Sequence, residues 1–196
     1  MTVEPYEERA QRGGDDAVRE ASRFLYGEGP VRQALARIAG KLETLGIPYA
    51  VAGGMAVVAH GYERTTVDVD VVVTAEGLQE VLGKLEGSEY GIVIPGGRQL
   101  RDTETGVRID FIVSESYCDP IRSSSRMDGI RYVNLERLIE MKLIFGMAKP
   151  GRLKHLADVQ ELIKELGLKS EFEEKLHPYV RAMYAQLWRE VHENPP

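Results

Sequence analysis

The stretch VAGGMAVVAHGYERTTVDVDVVVT, residues 51–74, decides how the fold is predicted. Its last third alternates valine with aspartate, so Asp68 and Asp70 share one face of a predicted strand over residues 67–74. Their backbone positions lie about 6.5–7 Å apart. Two like charges at this spacing repel, and burying them is costly unless a cation lies between them. This face is therefore either exposed to solvent, as in many amphipathic strands, or part of a cation site.

A second predicted strand, residues 107–113, repeats this pattern. Asp110 lies on one face, and the other face carries Val107, Ile109, Phe111 and Val113. If both strands bury their aliphatic faces in one sheet, three carboxylates meet on the opposite side. Mg²⁺ prefers oxygen ligands and commonly binds one or two carboxylates together with substrate phosphates. Three carboxylates suit two-metal nucleotidyl transfer, which clamps both the attacking and the leaving oxygen.

Gly53 and Gly54 stand between a predicted short strand and a short helix. Glycines let the backbone approach a triphosphate closely, and a helix start offers free N–H groups; a simple tight turn is the alternative. The stretch lacks the Lys-Ser/Thr of a Walker A loop. Arg64, just before the acidic strand, pairs with phosphate, pairs with the carboxylates, or lies exposed in its loop.

Lys142 lies on the apolar side of a predicted helix over residues 135–148. The solvent side of this helix is predicted to carry Glu136, Arg137 and Glu140. A lysine on an apolar face either snorkels to solvent or reaches into a cleft toward an anion.

Composition narrows the class of protein. The chain has 196 residues and a formal net charge of −6, which argues against wholesale non-specific nucleic-acid binding. A lone cysteine, Cys118, excludes an internal disulfide and fits a reducing compartment. The first residues lack the pattern of a signal peptide, and no apolar run reaches the ~20 residues that span a bilayer. We expect a cytoplasmic protein that does not enter membranes.

The order of elements predicts an α/β (α+β) fold, with a short mixed sheet flanked by helices and a helical C-terminal part. Residues 1–30 are predicted to be a loosely docked leader with a short helix around 16–26. The core covers 31–134, the helical part 135–192 and the tail 193–196. Residues 116–129 are predicted to form a polar loop. Residues 130–135 are predicted to form an edge strand whose Asn134 caps the next helix, and residues 171–192 are predicted to form one helix.

Three segments together resemble the nucleotidyltransferase superfamily with the DNA polymerase β-like fold. They are GGMAVVAHGYERTTVDVDVVV, RIDFIV and LIEMKLIFGMAKPGRLKHLADVQEL. The similarity covers about residues 47–166 and looks closest to AbiEii-type toxins and small stand-alone nucleotidyltransferases. Gly53, Gly54, Arg64, Thr66, Asp68 and Asp70 match the first motif, Asp110 the third carboxylate, and Lys142, Arg152, Lys154 and Asp158 the later elements. Gly54 stands where many catalytic relatives carry serine.

The resemblance implies Mg²⁺-dependent transfer of a nucleoside monophosphate from an NTP to a hydroxyl-type acceptor, with release of pyrophosphate. Two ions would be held by the catalytic carboxylates Asp68, Asp70 and Asp110. Nucleotide and phosphate would be bound by Gly53, Gly54, Arg64, Thr66 and Lys142, with Arg152, Lys154 and Asp158 as accessory residues. The acceptor is tRNA, a protein or a small molecule, and a cognate antitoxin is a candidate partner. The alternative is a weak or silent binding or regulatory module with this fold.

Overall fold

A computed structural model describes residues 3–85, 87, 89–114, 121–148 and 151–193. Cys118 and tail residues 194–196 lie outside the described residues, whereas Glu193 ends the last helix. The eight α-helices of the described residues are α1 (Tyr6–Ala10), α2 (Gly14–Leu25), α3 (Pro30–Leu45), α4 (Gly53–Ala59), α5 (Ala75–Leu85), α6 (Leu135–Ala148), α7 (Leu153–Glu165) and α8 (Pro178–Glu193). A 3₁₀ helix, Ser170–Lys175, precedes α8.

Seven strands form one mixed sheet. They are β1 (Tyr49–Val51), β2 (Asp68–Val73), β3 (Tyr90–Ile92), β4 (Gln99–Asp102), β5 (Arg108–Val113), β6 (Ser124–Met127) and β7 (Ile130–Val133). The strand order is β3-β4-β5-β2-β1-β7-β6. Strand β2 is parallel to β5 and β1 is parallel to β7, whereas the other neighbours are antiparallel. The predicted α/β fold, a mixed sheet flanked by helices with a helical C-terminal part, is confirmed.

Burial of the aliphatic faces fixes the two acidic strands in register. Val69 and Val71 of β2 are fully buried, as is Ile109 of β5, and Phe111 is 4% exposed. A one-residue slip of either strand would move these side chains to the carboxylate face and the carboxylates into the core. The core therefore determines which way the aspartates point.

The predicted leader, residues 1–30, contains the two helices α1 and α2. Tyr6 and Phe24 are each 2% exposed and belong to the hydrophobic core. Glu7 accepts two hydrogen bonds from the Arg101 guanidinium of β4, at 2.8 and 2.9 Å. These aromatic and ionic contacts dock the segment on the sheet, so it is not the loosely attached leader that its polar composition predicts. The division into segments at residues 30, 134 and 192 stays a prediction.

The predicted edge strand is wrong. Strand β7 has a partner on each side, because β6 lies within the predicted polar loop and pairs with β7 in antiparallel fashion. The β6 sequence SSRM has no apolar alternation, and its pairing with β7 forms the strand. The cap is confirmed, since the Asn134 side chain accepts a hydrogen bond from the Arg137 N–H at 3.0 Å.

The predicted single helix over 171–192 is also wrong, because it consists of the 3₁₀ helix and α8. Pro178 begins α8, and a residue that precedes proline is disfavoured in helical conformation. In the described ranges, none of the helices combines the length and apolar character needed to cross a bilayer.

Candidate active site

Strands β2 and β5 bring the three predicted carboxylates onto one face. In their parallel register Asp70 is the partner of Asp110, and Asp68 is the partner of Arg108. Paired residues of neighbouring strands project to the same side of the sheet, and the strands lie about 4.8 Å apart. Asp68, Asp70 and Asp110 are therefore adjacent, as the alternation of each strand predicts.

Arg108 lies among these carboxylates, and the sequence analysis missed it. Its Nε donates to Asp110 Oδ2 at 2.9 Å, and its Nη2 donates to Asp68 Oδ2 at 3.0 Å. The signal was present in the sequence, since Arg108 precedes Asp110 by two residues in one strand and so shares its face. The acidic face thus carries its own cation.

The carboxylate of Asp70 lies directly against Gly53. A Cβ atom at position 53 would lie 1.7 Å from Asp70 Oδ2, and Gly53 has a φ of +59°, so glycine is required for two reasons. Burial, followed by the negative charges of Asp68 and Asp110, raises the pKa of Asp70 to about 7. The ionised form of Asp70 is therefore short of compensating positive charge.

Gly54 is similarly matched to Thr66. A Cβ atom at position 54 would lie 2.6 Å from Thr66 Oγ1, and this hydroxyl donates to Asp68 Oδ1 at 2.9 Å. The space that a serine at position 54 would occupy is thus taken by a hydroxyl that supports Asp68. Gly54 in place of serine is compatible with this local packing.

Arg64 and Lys142 both pair with Asp158 of α7. Lys142 Nζ donates to Asp158 Oδ2 at 2.6 Å, and Arg64 Nε lies 2.8 Å from Asp158 Oδ1. Lys142 is 3% and Asp158 6% exposed, and burial lowers the pKa of Lys142 although Asp158 opposes this shift. The two predicted phosphate-binding cations are therefore joined by Asp158 into one cluster with a single excess positive charge.

A cavity of about 270 Å³ opens beside the acidic face. Lys154 and His155 of α7 line one part of it. The other lining residues are Gly53, Gly54, Arg64, Thr65, Thr66, Val67, Asp68, Asp70 and Lys142. Asp110, Asp158 and Arg152 are not part of the lining, and the Arg152 guanidinium lies over the Phe145 ring, 6.0 Å from its centroid.

His155 was not among the predicted site residues. Burial, followed by the charge of Lys142, lowers its pKa.

The solvent-side assignment of Glu140 is wrong. Glu140 is 1% exposed, accepts a hydrogen bond from the His177 N–H at 2.6 Å, and pairs with Arg137. Helical periodicity could not predict this burial, because the segment before α8 covers Glu140 and lies 37 residues away in sequence. Glu140 therefore attaches the C-terminal helices to the helix that carries Lys142.

The donor types of the acidic face fit a hard divalent cation. Asp110 Oδ1 is buried without a hydrogen-bond partner, and burial together with the negative charges of Asp68 and Asp110 raises the pKa of Asp70. Within the described ranges, however, no three His, Cys, Asp or Glu side chains are gathered closely enough to form a ready metal cluster. The Arg108 guanidinium lies between Asp68 and Asp110 and is bonded to Oδ2 of each, so a cation that binds either Oδ2 must compete with these contacts.

Comparison with known proteins identifies the fold. No protein-family model and no curated protein matches the chain. Among solved structures, it is similar to an antigenic nucleotidyltransferase-like protein from Paracoccidioides brasiliensis, with 19% identity, a TM-score of 0.59, and coverage of 85% of this chain and 89% of that one. It is also similar to the antibiotic-resistance factor ANT(2'')-Ia, with 18% identity, a TM-score of 0.56, and coverage of 81% and 95%. The chain has the fold of nucleotidyltransferase-like proteins.

Proposed function

We propose that this protein is a Mg²⁺-dependent nucleotidyltransferase. It moves a nucleoside monophosphate from an NTP to a hydroxyl-type acceptor and releases pyrophosphate. The observation that carries the proposal is the placement of Asp68, Asp70 and Asp110 on one face of two parallel strands in register, next to Gly53. Asp68 and Asp70 also line a cavity whose other walls carry Lys142 and Lys154.

Asp68, Asp70 and Asp110 would hold the divalent ions, two in number. Bound Mg²⁺ supplies Lewis-acid polarisation of the phosphoryl oxygens and stabilises charge on the attacking and leaving oxygens. The protein contributes carboxylate oxygens at fixed positions, since both strands are locked by their buried faces. Thr66 holds one oxygen of Asp68 through its hydroxyl.

Asp110 is proposed to help take the proton of the acceptor hydroxyl, because its Oδ1 has no hydrogen-bond partner that would compete for this proton. The acceptor oxygen then forms a bond to the α-phosphorus, and the bond from that phosphorus to the α–β bridging oxygen breaks. Pyrophosphate leaves with this electron pair. The Arg64–Asp158–Lys142 cluster and Lys154 offset the charge of the triphosphate.

The glycines keep side chains away from this space. No residue with a Cβ atom fits at position 53 without displacing the Asp70 carboxylate, and Gly54 leaves room for Thr66. Backbone N–H groups at such positions are available to phosphate oxygens. Gly53 and Gly54 are therefore proposed to contact the triphosphate through the backbone.

The acceptor belongs to one of three classes: tRNA, a protein or a small molecule. A small molecule is favoured by the fold similarity to ANT(2'')-Ia, which is described as an antibiotic-resistance factor. The overall net charge of −6 disfavours RNA as the acceptor, because RNA phosphates bind positively charged surfaces. The AbiEii-like branch, a cognate antitoxin and a cytoplasmic location stay predictions.

Label transfer tests the proposal. The protein is incubated with each α-³²P-labelled NTP, Mg²⁺ and cell extract, and protein, RNA and small-molecule fractions are then separated. We expect label in one fraction, and a loss on the order of 10²-fold or more in Asp70→Asn and Asp110→Asn. Asp16→Asn, an exposed control in α2, should transfer label like the wild type. If no NTP yields labelled product, the transferase assignment is refuted.

A silent binding module is the second candidate, and two contacts favour it. Arg108 is paired with Asp68 and Asp110, and the charge of Lys142 is offset by its pair with Asp158. This alternative expects NTP binding, measured by isothermal titration calorimetry, without label transfer to any fraction.

A further inference from the structure

A row of charged side chains crosses the sheet beside the acidic face. Arg101 of β4 is the antiparallel partner of Arg108 in β5, and Arg108 is the parallel partner of Asp68 in β2. At one end of this row Glu7 of α1 binds Arg101 through two hydrogen bonds. Arg108 and Arg101 thus lie in turn between the acidic face and the N-terminal helix.

We propose that Arg108 is a resident counter-cation of the acidic face, which must release Asp68 or Asp110 when a divalent cation binds. The inference rests on the proposed function, because it concerns the same carboxylates. In this proposal Arg108 opposes metal binding, and without metal it compensates the charges of Asp68 and Asp110.

The oxygen atoms of the two carboxylates show the competition. Arg108 binds Oδ2 of both Asp68 and Asp110, at 3.0 and 2.9 Å. Asp68 Oδ1 accepts a hydrogen bond from Thr66 at 2.9 Å. Of the four oxygens, Asp110 Oδ1 is buried and lacks a hydrogen-bond partner. A cation that binds Oδ2 of either aspartate therefore competes with a charge-assisted hydrogen bond, and these are roughly twice as strong as neutral ones. A cation on the two Oδ1 atoms would lie beside the guanidinium, whose like charge repels it.

Glu7 adds a negative charge near the Arg108 guanidinium. The Arg108 side chain is 30% exposed, and Glu7 and Arg108 are near enough for each to favour the charged form of the other. Both carboxylate oxygens of Glu7 accept hydrogen bonds from Arg101, so Glu7 offsets the charge of Arg108 without bonding to it. The docked helix α1 therefore supplies part of the compensation that Arg108 needs when it releases an aspartate.

Metal binding and apo stability should therefore change in opposite directions on substitution of Arg108. Removing the guanidinium frees the carboxylates for metal but leaves their mutual repulsion uncompensated. In Arg108→Gln, titration calorimetry with Mg²⁺ alone should give a Kd tighter by roughly tenfold or more. The thermal midpoint in EDTA should fall, and the rise in midpoint on adding Mg²⁺ should exceed that of the wild type.

Arg101→Gln is the matched control. It removes the neighbouring guanidinium of the same row, which binds Glu7 and contacts neither aspartate in the described structure. We expect a lower thermal midpoint but a much smaller change in the Kd for Mg²⁺, because Arg101 is bonded to Glu7 and to the Gly106 carbonyl and not to the aspartates. Arg108→Lys, which keeps one charge, covers the case in which Arg108→Gln fails to fold.

The outcomes separate the inference from the proposed function. Tighter Mg²⁺ binding in Arg108→Gln, or in Arg108→Lys, but not in Arg101→Gln supports a resident counter-cation. Equal changes in the Arg108 and Arg101 variants, unchanged binding, or weaker binding without Arg108 overturns it, while Mg²⁺ binding by the wild type leaves the proposed function standing. If the wild type and every variant fail to bind Mg²⁺ at millimolar concentration, the proposed function fails as well.

Discussion

Lys142 and Asp158 form a buried ion pair that joins α6 to α7, with Nζ 2.6 Å from Oδ2 and side chains 4% and 8% exposed. Arg64, from the loop before β2, reaches the same carboxylate. Three parts of the chain thus meet at one aspartate beside the cavity.

Asp158→Ala should strongly destabilise the protein. It leaves Lys142 buried without its counter-ion, and breaking such a pair costs about 3–5 kcal/mol. Urea denaturation measures the loss. Lys164→Ala in the same helix, which removes an exposed pair with Glu161, should cost less than about 1 kcal/mol. Similar losses in the two variants would contradict the role given to Asp158.

Gly53→Ala should disturb the acidic face. Its methyl group would lie 1.7 Å from Asp70 Oδ2, and the φ of +59° adds strain of about 1–3 kcal/mol. We expect lower stability and loss of NTP binding by calorimetry. Gly40→Ala in α3 meets no atom within 4 Å and should stabilise by about 0.5–1 kcal/mol. Normal nucleotide binding by Gly53→Ala would rule out this close contact.

Stability without metal should fall as pH rises toward neutrality. Asp70 has a pKa of about 7 in the folded protein and 3.8 ordinarily, so the folded state binds more protons than the unfolded state between these values. The contribution of Asp70 is therefore present below about pH 4 and lost as pH rises through about 7. In EDTA, the stability of wild type relative to Asp70→Asn should drop from pH 5 to pH 8. A difference that does not change with pH would show that the Asp70 carboxyl is not perturbed.

Glu140→Ala should loosen the C-terminal helices. Glu140 accepts the His177 N–H at 2.6 Å and is almost fully buried, and a hydrogen bond to a charged group contributes about 1.5–3 kcal/mol. Denaturation should show this loss, and hydrogen exchange should be faster in α8. Glu136→Ala, which removes a distant and more exposed contact with Lys175, serves as the control. Unchanged exchange in α8 would exclude Glu140 as the anchor.

The acidic face was predictable because it depends on local geometry. A strand alternates its faces, so Asp68 and Asp70 had to point together, and buried valines fixed which way. Asp110 followed by the same rule once its strand lay beside β2. Arg108 obeys the same rule, since it precedes Asp110 by two residues, but strand alternation alone does not show that its guanidinium binds Asp68 and Asp110.

The remaining features depend on contacts between distant segments. Helical periodicity places Glu140 on the solvent side of its helix. Glu140 is buried because the chain around His177 packs over it and donates a backbone hydrogen bond to its carboxylate. Strand β6 is polar and is defined by pairing with β7. Tyr6 and Phe24 lie in a mainly polar segment where the neighbouring Leu25 and Tyr26 are exposed, and no periodic pattern marks the two buried aromatics as core residues. Sequence periodicity carries no information on such partners.

Direct Mn²⁺ binding tests the central claim, that Asp68, Asp70 and Asp110 hold a divalent cation. Electron paramagnetic resonance measures free Mn²⁺ during titration of the wild type, Asp70→Asn and the exposed control Asp16→Asn. We expect the wild type and Asp16→Asn to deplete the free signal equally, and Asp70→Asn to bind at least about tenfold more weakly, because an amide oxygen replaces a charged ligand. Equal binding by all three proteins would contradict the claim.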